Sequence, residues 1–81
     1  MEEGIFIMSK IIYGKKIRAL SILWVDGIMN NMVTFDDVPK VLKGEVAYYL
    51  IYLDLGDLIT DEEYKAAAIE EFNTNKNNSA Q

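Results

Sequence analysis

The central part of this sequence carries a run of apolar residues at helical spacing, and this run constrains the fold more than any other feature. Its members stand at positions i, i+4, i+7, i+8 and i+11: Leu42, Val46, Tyr49, Leu50 and Leu53. Because an α-helix has 3.6 residues per turn, one face of a helix holds all of these side chains. The run therefore predicts an amphipathic helix with one buried face.

The residues around this run mark where the predicted helix begins and ends. Pro39 fits the first turn of a helix, where its missing N–H removes no hydrogen bond, and Thr34 or Asp37 can cap the N-terminus. Gly56 can end the helix, because glycine is the residue that most often follows a helix C-terminus. The segment YYLIYL also has the composition of a strand, but the caps and the helical period agree on a helix.

A second helix is predicted from Lys15 to about Asn30, and its apolar residues cover most of its circumference. One apolar stripe contains Ile17, Leu20, Trp24 and Ile28. The neighbouring stripe contains Ile22, Val25 and Met29. A helix with so narrow a polar strip is expected to be buried on two sides, and we expect one side to contact a second copy of the chain.

The segment ITDEEYKAAAIEEF predicts a third helix. Thr60 can cap its N-terminus, and Glu63 three residues later completes a capping box. The segment VTFDDV at 33–38 has the same order as ITDEEY at 59–64: a hydrophobe, a threonine, any residue, two acids and a hydrophobe. We interpret the two segments as two helix starts, because the residues that follow them differ.

Together these helices predict an all-α fold, a small three-helix assembly that occupies residues 15–72. Residues 1–14 are a segment that the sequence leaves open, because GIFIMSKIIYG can form short strands or begin a helix. Translation can also begin at Met8 instead of Met1. Residues 73–81, NTNKNNSAQ, are polar and low in complexity, so they predict a disordered tail.

The sequence contains no cysteine and no histidine. Disulfides and thiolate metal sites are therefore excluded. The lack of imidazole also excludes histidine bases and the Ser-His and Cys-His nucleophile pairs. We expect a protein that is not an enzyme and that carries no cofactor.

Residues 53–64, LDLGDLITDEEY, contain a group of carboxylates that invites comparison with a calcium loop. An EF-hand loop needs oxygen ligands at alternate positions, glycine at the sixth position and glutamate at the twelfth. Counted from Asp54, the third position is Gly56, the sixth is Ile59 and the twelfth is Lys65. The sequence therefore predicts no metal site and no catalytic residue here, and we interpret the carboxylates as the end of one helix and the start of the next.

The net charge of −5 is unevenly distributed. Residues 1–35 contain four basic and three acidic residues, a balance of +1, whereas residues 36–81 contain four lysines and ten acids, a balance of −6. Nucleic-acid-binding proteins normally have the opposite balance, so direct nucleic-acid binding is not expected. The candidate acidic surface consists of Asp36, Asp37, Asp57, Asp61, Glu62, Glu70 and Glu71. Such a surface suits a small acidic inhibitor of a host nucleic-acid-binding or defence protein.

Apolar residues make up 51% of this chain of 81 residues, which is high for a chain that can bury only a modest core. Either the core is unusually dense in aliphatic residues or part of the apolar surface meets another chain. Aromatic residues are enriched at protein–protein contacts, although they also occur at the rim of a core. The candidate interface consists of Ile22, Trp24, Val25, Met29, Tyr48 and Tyr52. The expected partners are a second copy, which would form a homodimer, and an unknown protein.

No apolar run approaches the ~20 residues that a membrane span requires. The N-terminus opens with Glu2 and Glu3 and lacks a small-residue cleavage site, so it does not resemble a secretory signal. The cytoplasm is therefore the expected location.

Several features stand in an order that resembles a known family. They are Trp24, the tripeptide Asp37-Val38-Pro39, the apolar positions Leu42, Val46 and Leu50, and the run GDLITDEEY at 56–64. Over about half of the chain they resemble the XkdX-like tail-region proteins from prophages of Gram-positive bacteria, although Asp57 and the long apolar first helix depart from that pattern. The resemblance implies a non-catalytic structural or assembly factor of a phage or mobile element, in the cytoplasm of the bacterial host. It carries over no functional residues.

Overall fold

The computed structural model describes residues 8–79, which form a β-hairpin followed by three α-helices. The elements are β1 (Lys10–Ile12), β2 (Lys15–Ile17), α1 (Ala19–Met29), α2 (Lys40–Tyr52) and α3 (Glu62–Ser79). Short 3₁₀ turns at Phe35–Asp37 and Gly56–Leu58 precede α2 and α3. This architecture confirms the predicted small three-helix assembly with a short extended segment towards the N-terminus.

The tight turn of the hairpin is formed by Tyr13 and Gly14, which both have positive φ, 51° and 85°. A two-residue loop with positive φ at both positions matches the right-handed twist of the strands that it joins. The strands pair antiparallel with Ile12 opposite Lys15. Because Ile12 and Ile17 are buried, the hairpin contributes one apolar face to the core.

The hairpin corrects the predicted boundary of the helical part. The sequence predicts a helix from Lys15, but the turn at Gly14 sends residues 15–17 back along β1, so α1 begins only at Ala19. The preceding segment, left open between strand and helix, contains a strand in its described part. Residues 1–7 lie outside the described residues.

A carboxylate of α2 caps the N-terminus of α1. Arg18 precedes α1 in an extended conformation, and its own side chain makes no capping hydrogen bond. Glu45 of α2 accepts hydrogen bonds from the Arg18 backbone N–H at 2.8 Å, from Arg18 Nε at 2.6 Å and from Ser21 Oγ at 3.1 Å. Ser21 is buried, so Glu45 also satisfies a hydroxyl whose burial would otherwise cost free energy.

The same contact shifts the ionisation of both charged residues. Partial burial raises the pKa of Glu45, but the hydrogen bonds from Arg18 and Ser21 outweigh it, and the pKa lies below its ordinary value of 4.5. The hydrogen bond to Glu45 raises the pKa of the Arg18 guanidinium, which also donates to the carbonyl of Val41 at 3.1 Å. Both groups are therefore charged at neutral pH, and an ion pair joins α1 to α2.

Helices α1 and α2 end in the same way. Asn31 follows α1 with φ 61°, and Asp54 follows α2 with φ 64°. Beyond each helix, a backbone N–H returns to an interior carbonyl five residues earlier, at 2.9 and 2.8 Å, which is the hydrogen bond of a Schellman motif. The predicted end of the first helix at Asn30 or Asn31 is confirmed. Gly56, predicted to end α2, lies instead in the 3₁₀ turn that follows it.

Of the two similar segments, ITDEEY contains the start of α3, as interpreted, whereas VTFDDV contains the first 3₁₀ turn and not the start of α2. Helix α2 begins at Lys40 with Pro39 in the N-cap position, so neither Thr34 nor Asp37 caps it, and Pro39 stands just before its first turn.

Thr34 donates its N–H to Asp37 Oδ2 at 2.9 Å, which closes a capping box around the first 3₁₀ turn. At the start of α3, Asp61 Oδ1 accepts the N–H groups of Glu63 and Tyr64 at 2.9 and 3.2 Å. Aspartate is among the preferred N-cap residues because its carboxylate reaches these unpaired donors.

The predicted capping box between Thr60 and Glu63 is therefore wrong. Asp61 stands one residue closer to α3 and takes the N-cap role, and the Thr60 hydroxyl donates to Asp36 Oδ1 at 2.9 Å instead. This hydrogen bond ties the two helix starts together, a contact that neither segment alone reveals.

Helix α2 lies at the centre of the fold and contacts both α1 and α3. Its predicted apolar face is buried except for the half-buried Leu53, and Ala47 and Tyr48 are buried as well. The Tyr48 hydroxyl donates to the carbonyl of Ile12 at 2.9 Å and accepts the side-chain amide of Asn75 at 3.2 Å. One buried oxygen thus joins the hairpin, α2 and α3.

Helix α3 continues beyond the predicted end of the helical domain. The sequence predicts a disordered polar tail over 73–81, but α3 extends to Ser79, and the last two residues lie outside the described part. Besides the bond from Asn75 to α2, the Lys76 ammonium lies 5.9 Å from the centroid of the Phe72 ring. The first is a tertiary contact and the second joins two residues four apart in α3, and together they favour a helix that the polar composition does not predict.

The hairpin is fastened to α3 through its tip. The ring of Tyr13 meets the ring of Phe72 edge-on at 5.5 Å between centroids and that of Tyr52 at 6.5 Å. Lys15 donates to Glu71 Oε2 at 2.9 Å. Edge-to-face aromatic pairs at these distances are favourable, so the hairpin packs as part of the core and not as a loose extension.

Candidate interaction surface

The outer face of α1 is apolar although it faces solvent. Leu20 is 55% exposed, and Leu23 and Met29 are each 49% exposed. Asp26 is the only charged residue in α1. A helix that is apolar on every side is normally covered on every side, so α1 presents one face without a cover.

A hollow along this face, here called the glycine groove, lies beside Gly27. It has a volume of about 220 Å³ and is lined by Leu20, Leu23, Trp24, Gly27, Met32 and Val33. A Cβ atom at Gly27 would lie 3.0 Å from Cγ2 of Val33, so the missing side chain lets the chain after α1 return close to the helix. That returning chain also contributes Met32, which is 78% exposed.

A second hollow, here called the Asp26 pocket, lies between α1 and α2. It has a volume of about 210 Å³ and is lined by Ile22, Val25, Asp26, Met29, Tyr49 and Leu53. The Asp26 carboxylate is exposed and has no hydrogen bond or ion pair with any of residues 8–79. The pocket therefore combines apolar walls with one unpaired negative charge.

The structure distributes part of the predicted interface over the two flanks of α1. Ile22 and Met29 line the Asp26 pocket, and Trp24 lines the glycine groove. These three residues do not form one continuous patch, because the outward ridge of α1 separates the two hollows.

The other predicted interface residues lie elsewhere. Val25 and Tyr48 are buried in the core, so their side chains leave no surface for a partner, although Val25 forms the floor of the Asp26 pocket. Tyr52 is 46% exposed on α2, where its ring stacks on that of Tyr49 at 6.0 Å between centroids. It belongs to the aromatic group under the hairpin tip.

The sequence does not single out the most exposed apolar residues of this surface. Leu20 belongs to one of the two apolar stripes of the first helix, and no pattern marks Leu23 or Met32. In the structure Ser21 faces inward because Glu45 of α2 binds its hydroxyl, and this rotation turns Leu20 and Leu23 outward. The only signal in the sequence is a serine among apolar neighbours, and its meaning depends on Glu45.

Much of the predicted acidic surface is engaged within the chain. Asp36, Asp37 and Asp61 accept hydrogen bonds at the two helix starts, and Glu71 pairs with Lys15. The members that have no hydrogen bond or ion pair among residues 8–79 are Asp57, Glu62 and Glu70. The set is thus divided between structural carboxylates and unpaired ones.

Residues 8–79 contain neither a candidate metal site nor a candidate membrane span. Within residues 8–79, no group of three or more His, Cys, Asp or Glu side chains is arranged so that it could hold a metal ion. Over the same range, none of the helices has the length and apolar character that crossing a membrane requires.

No protein-family model matches the chain, and no curated protein and no solved structure matches it.

Proposed function

We propose that this chain is a non-catalytic protein of a phage or mobile element that acts through protein–protein contact in the bacterial cytoplasm. The observation that carries the proposal is the glycine groove with its exposed apolar rim. The origin and the location rest on the resemblance to XkdX-like proteins.

Water contact is unfavourable for the rim of the glycine groove. Leu20, Leu23 and Met32 are each about half exposed or more, and burying apolar surface contributes about 25 cal/mol per Å². Contiguous apolar patches on monomers reach about 300–600 Å² and are often functional. A partner that covers the rim therefore stabilises the complex, because this apolar surface is removed from water.

A second copy of the chain fits this face. An isologous contact requires a surface that complements itself, and α1 offers exposed knobs, Leu20 and Leu23, beside the hollow over Gly27. Charge does not oppose this occupant, because none of the residues that line the glycine groove is charged.

The size of the patch predicts a reversible dimer. A standard protein–protein interface buries about 800 Å² on each partner, which is more than a single apolar patch of this class supplies. Dimerisation should therefore depend on protein concentration, and the folded monomer should persist at high dilution.

Sedimentation velocity over a range of concentrations tests this proposal. The wild-type chain should show a monomer–dimer equilibrium, and Leu23→Glu should shift it to monomer, because a buried unpaired carboxylate is costly. Leu23 is exposed in the monomer, so the variant should keep its fold.

Ile69→Glu is the matched control, because Ile69 is also exposed but lies on α3, away from the groove. It should leave the equilibrium unchanged. A wild-type chain that sediments as a monomer at every concentration would contradict self-association through α1.

The alternative function, an acidic inhibitor of a host nucleic-acid-binding or defence protein, draws on Asp57, Glu62 and Glu70. The structural use of the other carboxylates supports the apolar contact over this alternative. A captured host partner that is released as salt rises would favour the acidic surface, whereas an apolar contact should persist.

A further inference from the structure

The Asp26 pocket lies where two helices end together. Near the start of α1, Ser21 bonds to Glu45 of α2, while Met29 and Leu53, at the far ends of the two helices, line one pocket. The contacts advance in the same direction along both helices, so α1 and α2 run side by side in parallel. The C-terminal ends of both helices therefore converge on this pocket.

These converging ends carry negative potential, and the chain places little positive charge near them. The C-terminus of a helix is equivalent to about half a negative charge, and neither α1 nor α2 has a basic residue in its last turn. The Asn30 amide donates to the backbone carbonyl of Asp26 at 2.9 Å, which satisfies one carbonyl but adds no positive charge. Asp54, directly after Leu53, adds a further carboxylate to the same end of α2.

The carboxylate of Asp26 stands at the edge of this pocket without a partner among residues 8–79. The other lining side chains are apolar except for the phenol of Tyr49, and no lysine or arginine lines the pocket. A positively charged group would therefore meet an unpaired carboxylate, two helix C-termini and apolar walls.

From this geometry we propose that the Asp26 pocket binds a lysine or arginine side chain of a partner protein. The aliphatic stem would pack against Ile22, Met29 and Leu53, and the charged end would pair with Asp26, since such side chains bury their stems while the charged head stays near water. A bare divalent cation does not fit, because calcium takes six or more oxygen ligands and the pocket offers one carboxylate.

This site is separate from the proposed dimer contact. The lining residues of the glycine groove and of the Asp26 pocket do not overlap, although Leu23 and Asp26 lie one turn apart on α1.

The test is a titration of the full chain with two capped probe peptides, one built from lysine and leucine and one in which glutamine replaces every lysine. Methyl chemical shifts of Ile22, Met29 and Leu53 report on the pocket, and those of Leu20, Leu23 and Met32 report on the groove. The lysine peptide should shift the pocket signals and bind more tightly than the glutamine peptide. Asp26→Asn should weaken its binding by about tenfold or more, as expected for the loss of a charged hydrogen bond.

Glu70→Gln is the matched control, since it removes the same charge from an exposed, unpaired position on α3. It should leave the affinity for the lysine peptide nearly unchanged. Equal weakening by Asp26→Asn and Glu70→Gln would mean that net charge alone attracts the peptide, and it would overturn the proposal.

Two further outcomes would also overturn it. In one, the lysine peptide shifts the groove signals and not the pocket signals. In the other, the pocket signals change with protein concentration in the absence of peptide, which would make a second copy the occupant. Repeating the titration in Leu23→Gln, which removes the apolar side chain without adding a charge one turn from Asp26, should give unchanged affinity, and this result would stand even if the proposed dimer did not form.

Discussion

At the scale of single residues, the Tyr48 hydroxyl shows how much one polar atom can organise. It lies in a fully buried side chain of α2, donates to the carbonyl of Ile12 in β1 and accepts from Asn75 in α3. Leaving a buried polar group without a hydrogen-bond partner costs more free energy than one such hydrogen bond contributes, net, to stability. The hydroxyl therefore favours one arrangement of the hairpin, α2 and α3 over others that bury the same apolar surface.

Tyr48→Phe should lower the free energy of unfolding by about 1–2 kcal/mol, because Ile12 and Asn75 lose a buried partner. Urea denaturation followed by circular dichroism measures this difference. Tyr52→Phe is the control, since Tyr52 is largely exposed and its hydroxyl has no hydrogen bond within residues 8–79. It should change stability by less than about 0.5 kcal/mol, and equal losses in the two variants would contradict the role given to Tyr48.

Glu45 predicts a pH dependence of stability. Its pKa in the folded chain is lowered from 4.5, so the unfolded chain binds the proton more tightly than the folded chain does. The resulting stabilisation is complete above the unfolded pKa and is lost as the pH falls through the folded value. Below pH 4.5, wild-type stability should therefore fall more steeply than that of Glu45→Gln.

Denaturant melts of both proteins between pH 7 and pH 3 measure the two slopes. Glu70→Gln, which removes an exposed carboxylate, should keep the steep wild-type slope. Parallel curves for wild type and Glu45→Gln would show that the carboxylate does not couple protonation to folding.

At the scale of elements, backbone geometry decides where each helix and strand begins and ends. The hairpin depends on positive φ at Tyr13 and Gly14, and α1 and α2 end at Asn31 and Asp54, which also have positive φ. Of these positions only Gly14 is a glycine, the residue type that adopts positive φ without strain. The turn of the hairpin is thus more sensitive to substitution at Gly14 than a surface loop normally is.

Two glycines provide a matched comparison of this effect. A Cβ atom would meet nothing within 4 Å at either Gly14 or Gly44, so steric contact does not distinguish them. Gly14→Ala should destabilise the fold by about 1–2 kcal/mol because of its φ of 85°. Gly44→Ala lies inside α2 and should stabilise it by up to about 1 kcal/mol.

Thermal denaturation of the two variants under identical conditions distinguishes these effects. A Gly14→Ala variant that is as stable as the wild type, or more stable, would contradict the assignment of a left-handed turn at Gly14. An unchanged stability of Gly44→Ala would contradict only the expected gain in helix propensity in α2. It would leave the result for Gly14 standing, because the two substitutions report on different elements.

At the scale of the whole molecule, the sequence predicts features within one element well and contacts between different elements poorly. The periodic run around Val46 and Leu50 predicts α2 because that signal is contained within one helix. The first strand is one of the two structures that the sequence allows for its segment, but the second strand is missed because Ile17 also fits the helical stripe of Leu20, Trp24 and Ile28, and only the turn at Gly14 distinguishes the two. The helical extension of α3 is missed because Asn75 finds its partner in another helix.

The candidate surface follows the same division. The sequence identifies α1 as too apolar for a single buried face, and α1 does carry exposed apolar side chains in the structure. It does not determine which side faces outward, because the rotation of α1 depends on the bond between Ser21 and Glu45. Leu20 and Leu23 become surface residues only once α2 is in place.

The cap that Glu45 provides also sets an order of events during synthesis and folding. Helices shorter than about 12–15 residues are marginal on their own in water, and α1 has 11 residues. Its first turn is completed by a residue that lies 27 positions further along the chain than Arg18. As the chain leaves the ribosome, α1 can become a persistent helix only after α2 has emerged and docked. The exposed apolar face of α1 therefore forms late, and a truncated or unfinished chain should lack it.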